Sequence, residues 1–123
     1  YVKNWTNELC LEAVKQNGQA LEYIKNQTEE ICIEAVKQDG YLVKYVKNKT
    51  DKIYLEAIKN KNGSYALRYM ENPSDEIVLE TIKYDGKALQ YVKNQTEELC
   101  LEAVKKDGYA LQYVQNQTEE ICF

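Results

Sequence analysis

Apolar residues fall in two short bursts that alternate along the whole chain. After Thr28 come two acids and then Ile31, Cys32, Ala35 and Val36 at helical spacing, and the run closes at Asp39-Gly40. A threonine hydroxyl can accept a free N–H of the first helical turn, and carboxylates suit the positive helix end, so the pattern predicts an N-cap at Thr28 and a helix of about ten residues. The Asp-Gly pair predicts a left-handed stop, a conformation glycine adopts without steric penalty. A second run, Leu42, Tyr45 and Val46, closes at Asn48 and predicts a second helix of about seven or eight residues.

This unit repeats. Tyr1, Tyr23, Tyr45, Tyr69, Tyr91 and Tyr113 each open a similar block, at spacings of 22, 22, 24, 22 and 22. The blocks span residues 1–22, 23–44, 45–68, 69–90, 91–112 and the half block 113–123. Thr6, Thr50, Ser74, Thr96 and Thr118 repeat the capping signal, and the two extra residues of the third block sit around Asn60 to Ser64 as a turn insertion. Pro73, the sole proline, falls just outside a helix start, where its missing N–H does no harm. Helices this short are unstable alone in water, so they must bury their apolar faces layer upon layer. The predicted fold is therefore all-α: an α-solenoid of stacked two-helix repeats in one domain. Tyr1 and the final Ile121, Cys122 and Phe123 carry no polar cap, which raises the expectation of end-to-end self-association or of a longer parent array.

Charge and composition narrow the chemistry. The chain of 123 residues has a net charge of −4, so neither nucleic acid nor an anionic membrane is an expected partner. It has no histidine, which removes the commonest general base and neutral metal ligand. No P-loop, nucleophile-elbow, zinc-protease or dinucleotide motif occurs, and neither catalysis nor a cofactor is expected. Cys10, Cys32, Cys100 and Cys122 share one slot of the repeat with Tyr54 and Val78. That slot is apolar, so buried free thiols are expected rather than a zinc site or disulfides, and with them a reducing, cytoplasmic setting. Six Asn-x-Ser/Thr triplets, at Asn4, Asn26, Asn48, Asn62, Asn94 and Asn116, are read as helix punctuation rather than glycan acceptors.

The block Tyr91 to Gln112, YVKNQTEELCLEAVKKDGYALQ, resembles a family of uncharacterised tandem repeats found in giant amoebal viruses and some bacteria. The resemblance covers the whole chain. It implies helical repeats and an interaction role, and it brings no catalytic residue, cofactor or mechanism. Tyr54, the insertion, Val78 and Thr81 depart from its pattern.

Glu12, Glu34, Glu56, Glu80 and Glu102 stand three residues before Lys15, Lys37, Lys59, Lys83 and Lys105, a ladder of i,i+3 pairs on a solvated face. The six opening tyrosines are expected to form a stacked ladder with their hydroxyls at the edge. Positions that differ between blocks are free for a partner. Tyr41, Tyr65, Tyr84 and Tyr109 lie at or near the turn where other blocks carry Gln19 or Lys87, and exposed tyrosine suits a protein interface. The third block carries +4 and the fourth −3, the former from Lys47, Lys49, Lys52, Lys59, Lys61 and Arg68 against Asp51 and Glu56. The expected function is a protein-binding scaffold using Tyr41, Tyr65, Tyr84, Tyr109, Lys49, Lys52, Lys61 and Arg68. The alternatives are a viral or phage inhibitor of a host defence nuclease and a self-assembling structural repeat. Ion pairing between blocks three and four would occupy both charged patches internally.

Overall fold

A computed structural model describes residues 5–115. Five α-helices, α1 (Asn7–Gln16), α2 (Glu29–Gln38), α3 (Asp51–Ile58), α4 (Asp75–Tyr84) and α5 (Glu97–Lys106), alternate with 3₁₀ helices at Gly18–Tyr23, Gly40–Tyr45, Gly63–Tyr69, Gly86–Tyr91 and Gly108–Tyr113. Each α-helix and the 3₁₀ helix after it form one layer, numbered 1 to 5. Among the described residues each layer touches only its neighbours, like helix on like helix with each α-helix after α1 also resting on the 3₁₀ helix before it, which makes the fold an all-α solenoid. Tyr1, Asn4, Asn116, Thr118, Cys122 and Phe123 lie outside the described residues.

The α-helices begin where the capping signals stand. The side chains of Thr6, Thr28, Thr50, Ser74 and Thr96 accept from the N–H of Leu9, Ile31, Ile53, Ile77 and Leu99 at 3.1–3.3 Å. Acidic residues fill the first turns. The inner faces bury Val14, Ile31, Ala35, Val36, Ile53, Ala57, Ile77, Ile82 and Ala103, and the 3₁₀ helices add Leu21, Val43, Leu67 and Leu89. Thr81 stands in the slot that is alanine in the other layers, and its buried hydroxyl donates to Ile77 O at 2.7 Å, so the substitution leaves no unsatisfied polar group.

Two local expectations change. The second helix is a 3₁₀ helix of six residues, seven in layer 3, ending on the opening tyrosine of the next block, and Asn48 lies in a bend beyond it. The Asp-Gly pair is not a left-handed stop, for among the described residues no glycine has positive φ. Asp39 is extended, at φ −160° and ψ 115°, and caps the following helix: its carboxylate accepts from Tyr41 N at 3.0 Å. Asn17, Asp85 and Asp107 do the same for Gln19, Lys87 and Tyr109.

The glycine that follows is required by the next layer instead. A Cβ on Gly86 would stand 2.5 Å from Ala103 O, and one on Gly40 would stand 2.6 Å from Gly63 Cα. Gly18 faces Ala35 O in the same way, at 3.1 Å. Neighbouring layers approach closely because these positions have no side chain.

Layer 3 breaks the rule. Its insertion makes Asn62 left-handed (φ 59°), and α3 is shortened to eight residues. The insertion seats back on layer 2: Gly40 N donates to Lys61 O at 2.7 Å, and Asn62 Nδ2 donates to the Asp39 carboxylate at 3.1 and 3.3 Å. A Cβ on Gly63 would accordingly meet first Ala57 O and Ile58 of its own layer, where Gly18, Gly40 and Gly86 meet the next layer.

Candidate interaction surface

The tyrosines interleave rather than stack by type. The position before the Ala-Leu pair of one layer, Leu-Val in layer 2, meets the tyrosine that closes the 3₁₀ helix of the next layer. Gln19 Nε2 donates to Tyr45 OH at 3.4 Å, Tyr41 packs edge-on against Tyr69 at 5.8 Å, and Tyr65 packs against Tyr91 at 5.7 Å. Tyr41 also meets Tyr65 edge-on at 5.8 Å, so four half-buried rings form one cluster over layers 2 to 4. Lys44 Nζ lies 4.6 Å from the Tyr41 ring centre and 4.9 Å from that of Tyr45, and the Arg68 guanidinium lies 5.9 Å from that of Tyr91. A hydrogen bond with Tyr69 and the Lys44 ammonium hold the Tyr41 hydroxyl below the ordinary phenol value, and the same hydrogen bond raises Tyr69. Burial raises Tyr91. Tyr41 and Tyr65 therefore join layers, whereas Tyr84 and Tyr109 are 51% and 76% exposed.

The cations of the third block are largely engaged, and apart from Arg68 over Tyr91 their contacts lie within the block or toward layer 2. Lys52 Nζ is 3.4 Å from Glu29, Lys47 Nζ donates to Lys25 O at 3.0 Å, and Lys59 pairs with Glu56 in its own helix at 4.0 Å. Lys49 Nζ donates to Val46 O at 2.6 Å. Among the described residues no ion pair joins layers 3 and 4, and Lys61 has no ion-pair partner. The i,i+3 pairs Glu34–Lys37 and Glu80–Lys83 close at 3.8 and 3.6 Å.

At the turn end of the junction between layers 3 and 4 opens a cleft of about 420 Å³. Its walls include Asn60, Asn62 and Ser64 of the insertion, Tyr65, Tyr84 and Lys87. Gly63, which faces back on α3, also lines the cleft, and Tyr65 and Tyr84 share its wall. Tyr41 and Tyr109 stand on other layers, and Lys49 and Lys52 face layer 2 through the contacts above.

One set of residues escaped the sequence reading. Gln27, between layers 1 and 2, donates through Nε2 to Leu21 O, Ile24 O and Tyr45 O at 3.4, 3.2 and 2.9 Å, and its Oε1 accepts from Lys47 N at 2.9 Å. Gln95 repeats all four contacts between layers 4 and 5, to Leu89 O, Val92 O, Tyr113 O and Gln115 N. Each glutamine thereby ties the carbonyl ends of two successive 3₁₀ helices together. Lys49 occupies this slot at the start of layer 3, and Pro73 occupies it at the start of layer 4. The signal lay in this slot and the cysteine slot five residues later: Gln27 and Gln95 stand with Cys32 and Cys100, both slots change at Lys49 with Tyr54 and at Pro73 with Val78, and the first block keeps Cys10 behind Trp5.

Cys10, Cys32 and Cys100 are buried free thiols. Burial pushes Cys32 up to about 11 and raises Cys100 as well. Among the described residues no group of three or more His, Cys, Asp or Glu side chains is placed to hold a metal ion, and no helix is long and apolar enough to cross a membrane.

Fold and surface together define a stacked all-α repeat protein. Residues 74–117, which run from the cap of α4 through layer 5, match the family model described as Domain of unknown function (DUF4116). No curated protein and no solved structure matches the chain.

Proposed function

We propose that the protein is a non-catalytic helical-repeat module that binds another protein, and that the partner contacts the irregular junction of layers 3 and 4. The cleft of about 420 Å³ carries this proposal, because it opens at the one described junction where the glycine-to-alanine approach of the layers is replaced by an insertion. Its amides, phenols and ammonium groups are suited to an extended polar segment bearing carboxylates. Tyr84 on its wall and Lys61 beside it supply contact without being engaged in stacking; Tyr109 extends the same kind of exposed aromatic surface to layer 5.

The test is affinity capture with the wild-type chain beside Tyr84→Ala/Lys61→Glu, with thermal unfolding of both followed by circular dichroism. A partner retained by the wild type and lost by the double variant at unchanged melting temperature supports the proposal. Equal retention removes the cleft from the interface.

A further inference from the structure

The socket that Gln27 and Gln95 fill at two other junctions is empty between layers 3 and 4. Counting along the repeat, its walls there are Leu67 O, Met70 O and Tyr91 O as acceptors and Lys93 N as donor, the equivalents of Leu21, Ile24, Tyr45 and Lys47. Pro73 stands where the glutamine would be and has neither the length nor the donor to reach them. Layer 3 has a substitute of its own: Lys49 Nζ donates to Val46 O, and Tyr54 OH donates to Tyr69 O at 2.9 Å. Layer 4 has none, since Val78 stands in the place of Tyr54.

The vacancy is a real space. A groove of about 290 Å³ opens at this junction, and its lining includes Leu67, Met70, Pro73, Tyr91 and Lys93, the four socket residues together with the proline that replaces the plug. Among the described residues no group of the chain donates to Tyr91 O or accepts from Lys93 N. Arranged as their equivalents are around Gln27 and Gln95, three carbonyls beside one N–H match a primary carboxamide on a two-carbon stem. Arg68, Gln90 and Gln115 also line the groove; a carboxylate meets the Arg68 charge but has no donor for the carbonyls, and an ammonium has no acceptor for Lys93 N.

We propose that this groove is a binding site for a glutamine side chain of a partner polypeptide, which completes from outside the bond pattern that Gln27 and Gln95 make from within. The socket lies at the loop end of the junction whose turn end carries the cleft, and it stands on the internal repeat rather than on the cleft.

Titration of the ¹⁵N-labelled chain with the peptide acetyl-Gly-Ser-Gln-Ser-Gly-amide, up to its solubility limit, tests it. The Lys93 amide resonance is expected to shift saturably, and the peptides with Glu or Leu in place of Gln should bind at least about tenfold more weakly, the factor that one lost hydrogen bond brings. Pro73→Gln, which supplies the plug in cis, should abolish the response and slow hydrogen exchange at Lys93. Pro73→Ala, which leaves the socket open, should keep binding. No saturable shift in the wild type, equal response to the three peptides, or retained binding by a folded Pro73→Gln would each overturn the proposal. The cleft is untouched by these substitutions, so its partner test stands or fails separately.

Discussion

The hydroxyl of Tyr54 and the carbonyl of Tyr69 meet at 2.9 Å, at the point where Gln27 reaches Tyr45 O in layer 2 and Gln95 reaches Tyr113 O in layer 5. One carbonyl position in the repeat thus receives a donor from two different slots, from a loop amide in the common layers and from a helix phenol in layer 3. Lys49 and Tyr54 act as a pair in place of glutamine and cysteine.

Removing these donors should loosen the stack. Gln27→Ala is expected to lower unfolding free energy by about 2 kcal/mol, since several hydrogen bonds are lost and the carbonyls stay partly shielded from water. Tyr54→Phe, which deletes one hydroxyl and keeps the ring, should lower it by about 1 kcal/mol. Urea unfolding of the three proteins measures both, and equal midpoints would show that the donors contribute nothing.

Gly86→Ala is expected to destabilise by roughly 1–3 kcal/mol, because the added methyl meets a backbone carbonyl that cannot move without moving α5. The backbone at Gly86 is compatible with alanine, so a stabilising result would mean that the close approach to Ala103 is relaxed in solution.

The two kinds of tyrosine should respond differently. Tyr41→Ala loses edge contacts with Tyr65 and Tyr69 as well as the Lys44 contact, and should cost about 1–2 kcal/mol. Tyr109→Ala should stay within about 0.5 kcal/mol of the wild type. Paired thermal melts decide it, and equal effects would contradict the interleaved cluster.

Cys32 gives a pH test. Its thiol rises from 9.0 to about 11 in the folded chain, because burial disfavours the thiolate. The folded state thus favours the neutral form, and this contribution to stability is complete below the unfolded value and declines as pH climbs from about 9 to about 11. Reaction of Cys32 with a chromogenic disulfide at pH 8 should be slow in native protein and rapid in urea. Cys32→Ser, whose hydroxyl does not titrate, should show a shallower loss of stability across that alkaline window; the same slope as wild type would assign the loss to other groups.

Helix starts, helix spacing and the all-α stacked class were legible in the residues themselves, because Thr6, Thr28, Thr50, Ser74 and Thr96 bond to N–H groups only three positions on, and apolar period is a local property of the chain. What Gly40, Gln27 and Tyr41 do was not legible. Each acts on a layer about 20 residues away, and the same letters have local explanations: a left-handed stop, a loop amide, a surface ring. The third layer makes the point most sharply. An insertion of two residues was visible as a turn, but only packing decided that Asn62 would reach back to Asp39, that Gly63 would face its own helix, and that a cleft would open at one end of the junction of layers 3 and 4. At its other end, Pro73 reads locally as a harmless residue before a helix, and it becomes an empty socket only once Leu67, Met70, Tyr91 and Lys93 are drawn around it. Sequence determines what each layer is, since caps and periods are short-range; how layers meet depends on distances between groups far apart in the chain, and these exist only in the folded stack.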